Sequence, residues 1–147
     1  MEAVTSSISV LVDQFKMNTR LVKNVVAGIS DEEAAKRPMP DSNPMVWIVG
    51  HIVHMRYSIA QQESPLGEVF SHGKELDTTP MPPLSEIMGH WDDISDKMCT
   101  ALENMPEDAL ESKPPMELPI PNNHTTRSMM AFFCHHEALH LGQAGYL

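Results

Sequence analysis

Two histidines, His136 and His140, stand four residues apart in the run Cys134-His135-His136-Glu137-Ala138-Leu139-His140. On a helix this spacing projects both imidazoles from one face, one turn apart, so that they can reach a single metal ion. Phe132 and Gln143 fall on the same stripe and add an apolar wall and an amide. A second apolar stretch offers His51, one turn after Trp47, as a third ligand, with His54 as the weaker neighbour. A lone histidine on an apolar helix face is more often a core residue donating to a carbonyl, and His51 alone reads that way. For the pair, burying two imidazoles without a partner on a nearly uncharged helix is costly, which favours a metal. His135 points about 100° away from His136. His72, His90 and His124 fall in or near loops or on an acidic face and are read as structural or surface residues, like His135.

His136-Glu137-Ala138-Leu139-His140 also spells H-E-x-x-H, the zinc-protease pattern in which the glutamate is the general base. The extended form of that motif needs Gly at 143 and His at 146, where this chain has Gln143 and Tyr146. The protease reading is therefore demoted.

These residues must be carried by helices. The 12 prolines leave four long windows free of proline, 1–37, 45–64, 84–105 and 122–147, and each shows apolar residues at three- and four-residue spacing. In the first, Ile8, Val12, Phe15, Val22 and Val26 form a stripe opposite Lys16, Arg20 and Lys23. Ser30-Asp31-Glu32-Glu33 predicts a capping box on a short helix that Pro38 ends. The second opens with Asn43 as expected N-cap and Pro44 at the first helical position, and its apolar composition places it centrally. The third carries Leu84, Ile87, Trp91, Ile94, Met98 and Leu102 with acidic residues interleaved. The last, from about Thr125, has only Arg127 and Glu137 as charged residues and is expected to be largely buried. Glu63 to Thr79 reads as a long connection with room for a helical turn, and Glu107 to His124 as a Pro-rich one without periodicity. The expectation is an all-α fold, a four-helix bundle with long connections in one domain over residues 1–147. The methionines at helical spacing and both cysteines, Cys99 and Cys134, read as core filling.

A formal charge of −10 argues against nucleic acid and anionic membranes as partners. The two cysteines make no disulfide framework and fit a reducing compartment, so cytoplasm is the expected address. The first residues lack a basic n-region, and no run of about 18 apolar residues occurs, so neither signal peptide nor membrane span is expected.

Asn43-Pro44-Met45-Val46-Trp47-Ile48-Val49-Gly50-His51 together with His136 to Leu147 resembles the DinB-like superfamily, one branch of which carries N-P-x-x-W-x-x-G-H and H-x-x-x-H-x-G-Q. The stretch Ser85 to Leu102 is similar too, so the resemblance covers most of the chain. It implies a four-helix bundle, often dimeric, with three histidines binding a divalent metal, commonly zinc or nickel. Carried over by motif, the ligands are His51, His136 and His140. Family members usually continue past the G-Y-L with a basic turn of helix, whereas this sequence stops at Leu147.

Three neutral imidazoles leave a dication with its charge and an open coordination position. Relatives that transfer low-molecular-weight thiols imply a metal-activated thiolate attacking an electrophile, with a small-molecule thiol as cosubstrate. Two alternatives stand beside this: a hydrolase with Glu137 as base, and a non-catalytic metal-binding bundle serving stress response. Trp47, Gln143 and Tyr146 are the expected substrate-pocket residues.

Overall fold

A computed structural model describes residues 7–66, 68–70, 81–117 and 125–145, and among them the chain is all-α, with no strand. Four long helices dominate: α1 (Ser7–Val26), α3 (Met45–Ile59), α5 (Trp91–Glu103) and α7 (Thr126–Gly145). Three short ones, α2 (Asp31–Ala35), α4 (Leu84–Gly89) and α6 (Glu107–Glu111), and a 3₁₀ turn over Glu68–Phe70 lie in the connections. Helices α1 and α3 each pack against both α5 and α7. No helix among the described residues is long and apolar enough to cross a membrane.

Local chemistry explains most of the boundaries. Helix α1 ends where Gly28 takes a left-handed φ of 77°, a conformation that glycine adopts without a Cβ penalty. The capping box is present: Glu33 N donates to Ser30 Oγ, and Ser30 N donates to the Glu33 carboxylate. The carboxylate of Asp31 accepts from the backbone and hydroxyl of Ser85, both at 2.8 Å, and so ties α2 to the start of α4.

Several expectations need correction. The third window is two helices, because Gly89, a weak helix former, ends α4 and α5 restarts at Trp91. The N-cap of α3 is Pro44, not Asn43; its carbonyl accepts from Trp47 N and Ile48 N, and no side chain caps this end. The segment from Glu107 contains α6, opened by Pro106 with Glu107 and Asp108 in its first turn, where acidic side chains favour the helix dipole. Helix α7 is not largely buried: His135, Ala138, Gly142 and Gln143 are exposed and Leu139 is 56% exposed. Few charges there reflect a half-open apolar face rather than full burial. Cys99 and Cys134 are free and buried.

The core falls into two clusters. One gathers around Trp47, Ile52, Phe70, Ile87 and Trp91. The other gathers around Phe15, Ile59, Met98, Leu102, Met129 and Phe133. Between them lies Arg56, fully buried, with its guanidinium 4.1 Å from the Trp91 ring centroid and 5.9 Å from that of Phe15.

Candidate metal centre

The segment Trp47 to His51 is built to dock the 3₁₀ turn. Trp47 Nε1 donates to the Val69 carbonyl at 2.9 Å, and His51 Nδ1 lies 2.6 Å from the next carbonyl, that of Phe70. Gly50 between them leaves room for the Phe70 ring: a Cβ there would sit 2.1 Å from Phe70 Cε1. Trp47 stacks on the His51 imidazole, centroids 4.8 Å apart and planes 10° apart. A carbonyl only accepts, so Nδ1 of His51 carries a proton and Nε2 is the atom this ring could offer to a metal.

Helix α7 completes the cluster. His140 Nδ1 donates to Gln143 Oε1 at 2.8 Å, which fixes the same tautomer, and His140 Nε2 lies 3.0 Å from His136 Nε2. Phe132 stacks on His136 from the preceding turn. The ring centroids of His51 lie 5.2 Å from His136 and 4.9 Å from His140. One ligand-capable atom from each of the three histidines lies within 4.8 Å of the others; two metal–nitrogen bonds of about 2.0–2.1 Å span at most about 4.2 Å, so an ion would draw the rings slightly closer. The donor set is three imidazoles, two of them held by hydrogen bonds from the far ring nitrogen, and the residues fit a divalent ion.

The remaining expected site residues fall elsewhere. Glu137 points away from the histidines into the core: its Oε2 accepts from Arg56 Nε at 2.9 Å and its Oε1 from Arg56 Nη2 at 2.5 Å. As the neighbour of His136 on a helix, it is turned about 100° from the ligand face, so the structure does not place it as a base at this site. Trp47 is fully buried and supports His51 rather than lining a pocket. Gln143 holds His140 and borders a separate recess of about 670 Å³ with Asp41, Asn43 and Ile48. Tyr146, His72 and His124 lie outside the described residues.

Two features escaped the sequence reading. One is Arg56, whose five N–H groups all have partners: Glu137 twice, Thr19 Oγ1, Ser95 Oγ and the Phe15 carbonyl. Its signal was available, since Arg56 is the one charged residue in α3. The other is a cavity of about 950 Å³ between α3, α7 and the segment 105–117. His136 and the fully buried His51 both border it.

The sequence model of the DinB superfamily matches residues 14–144. No curated protein matches the chain significantly. With the family's pattern spanning nearly all of the sequence, this all-α chain with its three-histidine cluster belongs to the DinB superfamily.

Proposed function

We propose that His51, His136 and His140 hold one divalent metal ion, zinc or nickel, on a four-helix-bundle frame, and that the protein transfers a low-molecular-weight thiol to an electrophile. The observation that carries this reading is the position of His136, at once in the cluster and on the wall of the 950 Å³ cavity. When bound, the ion supplies a Lewis acid that lowers the pKa of a thiol presented to it.

The chain's own residues support transfer over the alternatives. Burial pushes the Cys99 thiol up and the Cys134 thiol up to about 11, so neither cysteine is a ready nucleophile, which agrees with a thiol supplied by a cosubstrate. Arg56 holds both oxygens of Glu137, which leaves the hydrolytic reading without its base. A purely structural metal centre has no use for a cavity ending at a ligand, whereas a substrate site does.

Elemental analysis of the purified protein is expected to find one divalent metal per chain, reduced in His51→Ala and His140→Ala. Incubation with an electrophile and a panel of cellular thiols is expected to consume one thiol in a metal-dependent way. Absence of stoichiometric metal overturns the centre; metal without thiol consumption above background overturns the transferase.

A further inference from the structure

We infer that the cavity beside His136 receives a neutral, predominantly apolar molecule, the electrophile of the proposed transfer. As a reaction partner it rests on that reading, but its binding rests on the cavity alone. At about 950 Å³ the cavity is at the upper end of the range, roughly 300–1,000 Å³, used for small-molecule ligands. Its wall is formed by Met55 and Ile59 of α3, Met105 after α5, and Met129, Met130 and Phe133 of α7. Unbranched thioether side chains reshape around irregular apolar ligands at low cost. Phe132 also lines it and stacks on His136, so the apolar wall runs up to the imidazole.

Charge decides against an anionic occupant. Apart from the histidines, the ionisable groups lining the cavity among the described residues are Lys113 and Glu117, of opposite sign and both exposed. A phosphate or carboxylate needs guanidinium or ammonium donors. The nearby guanidiniums are committed, Arg56 to the core and Arg127 to Glu107 and Glu111. Of the polar groups that line it, Ser58, Ser112 and Thr126 give their hydroxyl protons to the carbonyls of His54, Ala109 and Ser112 and keep acceptor capacity for a hydroxyl, while the Gln61 amide suits a hydroxyl or a carbonyl on an otherwise apolar molecule.

Two probes sharing one ring system test this: neutral N-phenyl-1-naphthylamine and its anionic relative 1-anilinonaphthalene-8-sulfonate, each titrated by fluorescence into the full chain, metal-loaded and chelator-stripped. The neutral probe is expected to bind at one site at least tenfold more tightly than the sulfonate. Its affinity should survive chelation and fall at least tenfold in Met105→Glu and in Met55→Gln. Both positions are only half-buried, and circular dichroism confirms that the variants retain their helices. Equal or tighter binding of the sulfonate, no binding of the neutral probe, or binding unaffected by both substitutions overturns the inference. Probe binding by a protein that takes up no metal fails the metal reading alone; metal uptake without probe binding fails this one alone.

Discussion

Arg56 of α3 and Glu137 of α7 face each other through two hydrogen bonds, Nε to Oε2 at 2.9 Å and Nη2 to Oε1 at 2.5 Å, with side chains 0% and 5% exposed. Thr19 and Phe15 of α1 and Ser95 of α5 take the remaining guanidinium donors, so one side chain joins all four long helices. Breaking such a pair on one side strands a buried charge. Arg56→Ala is expected to lower the unfolding free energy by about 3–5 kcal/mol, while the apolar double variant Arg56→Met with Glu137→Leu recovers most of it. Urea denaturation of the three proteins measures the difference.

Gln143 reaches the candidate metal only through His140. Its amide oxygen fixes the His140 tautomer, and loss of such an outer partner typically costs 10- to 100-fold in metal affinity. Gln143→Leu is therefore expected to weaken zinc binding by about that factor, and Gln143→Glu, which keeps an acceptor, to weaken it less. Competition with a chromophoric chelator reads both.

Gly50 and Phe70 occupy one space. In Gly50→Ala the new methyl meets the Phe70 ring, which must move and drag its own carbonyl from His51 Nδ1. Overpacking of this kind costs about 1–3 kcal/mol. A lower thermal midpoint is expected, with part of the loss restored by Phe70→Leu in the same chain.

Burial pushes the Cys99 thiol above its ordinary value of 9.0, with Arg56 and Lys16 opposing the shift. Well below pH 9 the thiol is neutral in both folded and unfolded chains and adds no pH dependence. As pH rises past that value the unfolded chain loses the proton first, so stability falls. Cys99→Ala is expected to lessen that alkaline decline, with Cys134 keeping its own share, measured by denaturation between about pH 8 and 10.5. In the wild-type chain iodoacetamide should label Cys99 slowly until denaturant is added.

The apolar stripes and the prolines made the helices legible, because periodicity and chain breaking are local properties. His136 and His140 were legible for a related reason, since a four-residue spacing fixes one face of α7, whereas His51, which alone reads as a core residue, joined them through the N-P-x-x-W-x-x-G-H resemblance. What stayed hidden depends on contacts between elements. H-E-x-x-H suggests a base beside its ligands, yet position 137 faces a different direction from 136 and 140, and only the approach of α3 shows that Arg56 waits there. Trp47 reads as a pocket residue in the sequence, but its indole N–H donates to the Val69 carbonyl and its ring stacks on His51. The cavity was invisible because its methionines come from separate helices and read individually as core.

The split core has an evolutionary consequence. The turn that seats His51 leans on the cluster around Trp47 and Phe70, whereas the cavity wall draws on the cluster around Met129 and Phe133, with Arg56 and Glu137 between them. Substitutions among Met129, Met130 and Phe133 therefore act within a cluster that does not include Trp47 and Phe70, the residues that seat His51. A lineage could reshape the cavity by drift among its methionines while the seat of His51 stayed untouched.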